Sequence, residues 1–246
     1  MNTYLIANGG CGVRLASVML TLYQCGFYGY DDPVRGVLVI DNDLLNKSVV
    51  QLREIVEDVN DMNDVLKGFN RYIPPIMTAA WAPRFRDAQR VVNLISNESE
   101  YEALSLIMTS DELGQTIDGR GFAGHANIGA AYINTIFETG NHDRDTWFFN
   151  AFLDEACPKQ GGEEARFIIM GSTHGGTGAA FNAAIAKKIR SYYGKTAAAI
   201  EIFGLFMQSY YSIPPMGKRA ADERDRWDML HVEPDQFRPS DIEAPF

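Results

Sequence analysis

Two glycine-rich segments contain residue types that could bind an anion. The first is NGGCGVRLAS, from Asn8 to Ser17, and the second is MGSTHGGTGAA, from Met170 to Ala180. Each segment follows a short apolar run and leads into a helical pattern. Glycine lets backbone N–H groups approach an anion closely, and the positive end of a helix dipole adds to the attraction. We therefore predict that these loops bind phosphate groups.

The second segment differs from the P-loop at the most informative position. Gly171 and Gly176 provide the G-x-x-x-x-G frame, but Thr177 stands where the P-loop requires lysine. A P-loop is therefore excluded.

The first segment matches the dinucleotide fingerprint only in part. Gly10 and Gly12 supply G-x-G, but Leu15 stands in place of the third glycine. Asp41 is the first acidic residue after the second strand candidate, and it lies well beyond the roughly 20 residues expected of a ribose-binding acid. An oxidoreductase of the Rossmann type or an ATP-using enzyme stays open on this segment alone.

The segments that would position these loops alternate between strand and helix patterns. Strands are predicted at 3–7, 37–40, 167–170 and within 194–206, and helices at 13–24, 48–66, within 118–137, at 145–157 and after the second glycine loop. This order predicts an α/β fold of three layers, Rossmann-related, with a mostly parallel sheet and helices on both faces. Parallel strands present their loops at one edge of the sheet, so the glycine loops should lie close together.

The middle of the chain is predicted to be an insertion. The prolines of YIPPIMTAAWAP, residues 72–83, predict irregular structure, and residues 84–108 read as broken helices. We expect a helical insertion around 70–115 within a nucleotide-binding domain at 1–211. A short helix and a surface tail are expected at 212–246.

Composition limits the class of protein. The chain has 246 residues, 46% of them hydrophobic, and a net charge of -10, which argues against a general nucleic-acid binder. Its three cysteines have no disulfide or zinc spacing. Neither a signal peptide nor a membrane span is evident, so we expect a cytoplasmic protein.

The glycine segments resemble those of the tubulin/FtsZ superfamily. MGSTHGGTGAA resembles its signature loop, usually G-G-G-T-G-[SA]-G, and NGGCGVRLAS resembles its first phosphate loop, with a cysteine between two glycines as in eukaryotic tubulin. VLVIDND and GRGFAGHANIG stand where the superfamily has its second strand with an acidic loop and its γ-phosphate loop. The resemblance extends from Thr3 to about Phe206 and suggests a divergent member of prokaryotic or phage type. His174 and Ala180 replace the first and last glycines of the signature.

The resemblance implies a role for each matching position. The first loop would contact phosphates through Gly9, Gly10, Cys11, Gly12 and Arg14, and the signature loop through Ser172, Gly175, Gly176, Thr177 and Gly178. Asp41 and Asp43 would border the ribose or magnesium-bound water, and Gly124, His125 and Ala126 would form the γ-phosphate loop. The implied ligands are GTP or GDP with Mg²⁺. No catalytic residue and no metal ligand are assigned.

Several of these residues also have ordinary structural explanations. Asp41 and Asp43 could simply form a turn, Arg14 could be a solvated charge, and His174 could be a loop residue. Cys11 is expected to be a packing residue, because no histidine partner lies nearby in the sequence.

The resemblance implies GTP-dependent, head-to-tail self-assembly into an oligomer or filament, with hydrolysis at the subunit interface and an accessory protein as a further partner. Residues 212–246 are too few for the superfamily's central helix and second domain, and they lack a clear acidic catalytic loop. A slow or inactive GTPase therefore stays open, as does a non-hydrolysing scaffold or regulatory module of the same fold.

Overall fold

The computed structural model describes residues 1–26, 33–42, 44–67, 75–83, 89–90, 102, 105–114, 116–117, 122, 125–139, 146–156, 164–194 and 200–208. The strands are β1 (Asn2–Asn8), β2 (Val34–Ile40), β3 (Met77–Trp81), β4 (Gln89–Arg90), β5 (Thr116–Ile117), β6 (Ala165–Ser172) and β7 (Ile200–Met207). The helices are α1 (Gly9–Gln24), α2 (Lys47–Lys67), α3 (Ser110–Gly114), α4 (Ala126–Thr139), α5 (Trp147–Ala156) and α6 (Thr177–Tyr193).

Five strands form one parallel sheet in the order β3-β2-β1-β6-β7. Every residue of the central strand β1 after Asn2 is buried, and its middle, Tyr4 to Ala7, is apolar, which is typical of a parallel strand covered by helices on both faces. β4 and β5 form a separate antiparallel pair.

Helices cover both faces of this sheet. On one face α1 and α2 pack against β1 and β2, and α1 contributes Val13, Ala16, Leu20 and Tyr23 at helical spacing. On the other face α4, α5 and α6 enclose a larger core rich in aromatic residues, including Phe149, Phe167 and Phe181. The predicted three-layer α/β fold is confirmed.

The strand β7 is the least covered of the five. Ile202 and Phe206 pack against the aromatic core, whereas Phe203, Leu205 and Met207 on the opposite face are 52%, 42% and 38% exposed. We call these three residues the β7 stripe.

One prediction for the middle of the chain was wrong. Residues 77–81, expected to be irregular because of neighbouring prolines, form β3 and pair with β2. Pro75 precedes this strand and Pro83 follows it, so neither proline removes a ladder hydrogen bond. Much of the predicted insertion at 70–115 lies outside the described residues, as does all of 212–246.

The first glycine loop also differs from its predicted form. Residues 8–12 were expected to be a loop, but α1 begins at Gly9, whose φ of 67° only glycine adopts readily. The glycines therefore form the first turn of the helix itself. None of the helices that the structure describes combines the length and apolar character needed to cross a bilayer.

Candidate functional site

The two glycine segments meet at the carboxyl edge of the sheet. α1 begins directly after β1, and residues 173–176 connect β6 to α6. β1 and β6 are adjacent, and they mark the point where the strand order reverses direction. Open α/β sheets bind ligands outside the carboxyl ends of their strands at such a switch point. The fold thus brings together the two predicted phosphate loops.

The first turns of α1 and α6 touch each other. A Cβ atom at Gly9 would lie 3.2 Å from the backbone nitrogen of Gly178 and 3.7 Å from the Cβ of Thr177. The amides of a first helical turn have no partner within the helix. Two sets of such amides therefore lie side by side, which is the arrangement that binds an anion.

The first turns of the helices at this edge contain no acidic residue. Neither α1, α4 nor α6 has an acidic residue in its first turn, although the whole chain carries a net charge of -10. The positive ends of these helix dipoles are therefore not neutralised by their own side chains.

The glycines predicted to contact phosphate differ in how much space surrounds them. A Cβ at Gly10 or Gly175 would meet no atom of the described residues within 4 Å, so both positions border space that this part of the chain leaves open, and Gly175 has a φ of 82°. A Cβ at Gly12 would lie 2.2 Å from the carbonyl oxygen of Met170. Gly12 therefore permits the close packing of α1 on β6.

Gly176 and Gly178 likewise lie in close contact with neighbouring chain. A Cβ at Gly176 would lie 2.7 Å from the Cβ of Phe122, and one at Gly178 would lie 3.2 Å from the Ser172 nitrogen. Both glycines hold the signature loop against its surroundings. Thr177, between them, is partly exposed in the first turn of α6.

A buried pair of asparagines joins the two halves of the site. The side-chain nitrogen of Asn8 donates to the Gly178 carbonyl oxygen at 3.1 Å and to Asn182 Oδ1 at 2.7 Å. Asn182 donates in turn to the Ser172 carbonyl oxygen at 3.1 Å. This network fixes the ends of β1 and β6 against α6. Sequence reasoning missed both asparagines, although one directly follows a predicted strand and the other interrupts an alanine-rich helix face.

Ser172 and its neighbours bind the end of β7. The Ser172 hydroxyl donates to the Met207 carbonyl oxygen at 3.3 Å and accepts the His174 amide at 3.0 Å. Thr173 Oγ1 lies 2.9 Å from Nδ1 of His174, which is only 4% exposed. These side chains order the loop before α6, and His174 is not a solvent-facing residue.

Asp41 lies beside the first glycine turn. Ile40 is in register with Asn8, so Asp41 and Gly9 directly follow the paired ends of adjacent strands. Asp41 is 9% exposed, and its amide donates to the Trp81 carbonyl oxygen at 3.2 Å. Asp43, for which the same role was predicted, lies outside the described residues.

Cys11 and Arg14 follow in the first turns of α1. Burial raises the pKa of the Cys11 thiol, and the positive charge of Arg14 offsets that rise only in part. A raised pKa keeps the thiol protonated at neutral pH, which supports a packing role and not a nucleophilic one. Arg14 is exposed, and its charge acts on Cys11.

In the predicted γ-phosphate loop the structure describes Phe122, His125 and the residues after His125. Gly124 lies outside the described residues. Ala126 is the buried first residue of α4. His125 contacts Glu112, with Nδ1 3.0 Å from Oε1. Sequence reasoning missed Glu112, although T-x-x-E at 109–112 is a capping-box pattern that could have indicated it.

Among the described residues no group of three or more His, Cys, Asp or Glu side chains could hold a metal ion. A nucleotide-bound Mg²⁺ needs only one or two protein carboxylates in addition to phosphate oxygens, and Asp41 is suitably placed at the edge of the site. Comparisons with family models, with curated proteins and with solved structures gave no match to this chain.

Proposed function

We propose that the protein binds a guanine nucleotide, with its phosphates held by the first turns of α1 and α6. One observation carries this proposal: Gly9 and Gly178 touch at the switch point of a parallel sheet. Backbone amides and helix dipoles there replace the lysine of a P-loop. The preference for guanine rests on the resemblance of the two loops to those of tubulin and FtsZ.

Within this proposal the predicted residues have different tasks. Gly10, Cys11, Gly175 and Thr177 are the positions from which backbone amides would reach phosphate. Gly9 and Gly178 let the two turns approach each other, Gly12 lets α1 pack on β6, and Gly176 lets the signature loop pack on Phe122. Mg²⁺ would be held by phosphate oxygens and by Asp41, and it would neutralise part of the phosphate charge.

Head-to-tail self-assembly with hydrolysis between subunits is the activity that follows from the superfamily resemblance. A non-hydrolysing scaffold of the same fold is the alternative if nucleotide binds without turnover. The strand order also fits a Rossmann-type site for NAD or ATP, which is the second alternative.

Equilibrium binding of GTP, GDP, ATP and NAD to the purified protein tests the ligand class. We expect GTP and GDP to bind at least ten times more tightly than ATP or NAD. Preference for NAD or ATP would contradict the proposal. If GTP is preferred, a GTP-dependent rise in light scattering together with phosphate release would indicate the assembling GTPase. Tight GTP binding without scattering or phosphate release would indicate the non-hydrolysing scaffold.

A matched pair of variants tests the location of the site. Gly175→Ala and Gly194→Ala both place alanine at positive φ in open space, one before α6 and the other at its end. Both should lose about 1 kcal/mol of stability through backbone strain. Only Gly175→Ala should weaken GTP binding, by roughly tenfold or more. Equal affinities of the two variants would place the nucleotide elsewhere.

A further inference from the structure

Glu112 is surrounded by hydrogen-bond donors at the start of α3. Its Oε2 accepts from the Thr109 amide at 2.7 Å and from the Thr109 hydroxyl at 3.1 Å. Its Oε1 accepts from Asn127 Nδ2 at 3.1 Å and lies 3.0 Å from His125 Nδ1. The carboxylate therefore links α3 to the start of α4.

These contacts determine the ionisation of Glu112. Burial alone would raise the pKa of this carboxyl, but hydrogen bonds from the Thr109 amide, Asn127, His125 and the Thr109 hydroxyl together hold it below its ordinary value. An ionised carboxylate only accepts hydrogen bonds. His125 Nδ1 must therefore be the donor.

This contact also fixes the chemistry of the other ring nitrogen. When Nδ1 of a neutral imidazole carries the hydrogen, Nε2 presents a lone pair. In the part of the chain that the structure describes, Nε2 of His125 makes no hydrogen bond, and the side chain is 29% exposed. In that neutral form the ring presents a proton acceptor at Nε2 while the carboxylate holds Nδ1.

Two contacts place the start of α4, which His125 directly precedes, beside the signature loop. The His125 amide donates to the Phe122 carbonyl oxygen at 2.8 Å, and Phe122 packs directly on Gly176. One turn into α4, a Cβ at Gly129 would lie 2.6 Å from the Cβ of Ala180. The start of α4 therefore packs on the start of α6, where the phosphates are proposed to bind.

We propose that His125 is the general base of nucleotide hydrolysis and that Glu112 is its positioning residue. Nε2 accepts a proton from water as the water oxygen bonds to the γ-phosphorus. The bond from that phosphorus to the β–γ bridging oxygen breaks, and GDP leaves with the electron pair. This inference rests on the proposed function, and it assigns a catalytic group within the chain itself.

Four variants test the assignment by GTP binding and by phosphate release under saturating GTP. His125→Asn keeps a donor near the Nδ1 position for Glu112 but has no basic nitrogen. His125→Ala removes the whole ring, and Glu112→Gln removes the charge that orients it. Glu138→Gln is the control, because Glu138 lies near the far end of α4 and, among the described residues, its contact is an exposed ion pair with Lys187 at 3.7 Å.

We expect both His125 variants to bind GTP as the unmodified protein does and to release phosphate at least about 100-fold more slowly. Added imidazole should restore part of the rate to His125→Ala. Glu112→Gln should lower kcat about tenfold with little change in KM, and imidazole should not restore it. Glu138→Gln should keep the full rate.

The outcomes separate this inference from the proposed function. If the unmodified protein binds no nucleotide, the proposed function fails, and this inference fails with it. If it binds GTP and either releases no phosphate or loses no rate in His125→Asn, only the general base is overturned. Loss of GTP affinity in His125→Ala without rescue by imidazole would make His125 a binding residue and would also overturn the assignment.

Discussion

Gly10 and Gly12 lie two residues apart in α1 but differ in what surrounds them. Gly12→Ala would drive a methyl group against the Met170 carbonyl oxygen, whereas Gly10→Ala would place one in open space. We expect Gly12→Ala to lower the free energy of unfolding by about 3 kcal/mol, because the clash involves backbone on both sides. Urea denaturation of the two variants is the measurement.

Gly10→Ala is the internal control for that change. Its stability should stay within about 1 kcal/mol of the parent, because alanine favours the helix that contains it. Its nucleotide affinity should fall, because the added methyl group occupies the space proposed for phosphate. Equal destabilisation by both substitutions would mean that α1 does not pack on β6 as closely as described.

Glu112 also makes a pH-dependent contribution to stability. Its pKa is lowered in the folded state, so its stabilising effect is present above the unfolded pKa of about 4.3 and is lost as pH falls through the folded pKa. We expect Glu112→Gln to be about 1 kcal/mol less stable than the parent at pH 7. The difference should shrink as pH falls through the lowered pKa of Glu112.

Chemical denaturation of both proteins at several pH values provides the test. Thr109→Ala should lower stability at pH 7 by a similar amount, because it removes the other half of the capping box. A difference between Glu112→Gln and the parent that persists unchanged at pH 3 would show that the charge of Glu112 is not responsible.

At the scale of elements, the asparagine network predicts a coupling between β1 and α6. Asn8→Ala and Asn182→Ala each leave a buried partner unsatisfied, and each should cost about 1–3 kcal/mol. The double variant should cost less than the sum by about 1 kcal/mol. Denaturation of the four proteins of the cycle measures that coupling.

Asn134→Ala is the comparison for this cycle. Asn134 donates to the Ala130 carbonyl oxygen within α4, and no hydrogen bond links it to Asn8. The costs of Asn8→Ala and Asn134→Ala should therefore add. If the stability costs of Asn8→Ala and Asn182→Ala add as fully as those of Asn8→Ala and Asn134→Ala, Asn8 and Asn182 do not interact in solution.

The sequence predicted most elements because their patterns were strong. β1, β2, β6, α2 and α6 lie close to their predicted bounds, since each combines apolar periodicity with a glycine or polar boundary. β3 was missed because Pro75 and Pro83 flank it and its five residues include two alanines. The network of Asn8 and Asn182 could not be predicted, because such long-range hydrogen bonds depend on which helix packs at which strand end.

At the scale of the whole molecule, the β7 stripe exposes apolar surface at one end of the sheet. Leu205→Lys should change the free energy of unfolding by less than about 0.5 kcal/mol, because the side chain is 42% exposed. It should also reduce concentration-dependent association, since exposed apolar strands favour contact between chains. Sedimentation velocity across a range of concentrations measures that association.

Ile169→Lys is the comparison for Leu205→Lys, because Ile169 lies in the aromatic core and is only 1% exposed. We expect it to abolish folding or to cost more than about 4 kcal/mol through burial of an unpaired charge. A loss of stability in Leu205→Lys approaching that size would show that the stripe is covered in the folded protein.

The bond between Asn8 and Asn182 spans 174 positions of the chain. β1 is synthesised before its neighbour β6 and the first turn of α6. Pairing over such a distance requires closing a long loop, which slows folding. The candidate site consequently cannot form until α6 has been synthesised, and a ligand that bridges α1 and α6 would recognise only chains whose synthesis has passed α6.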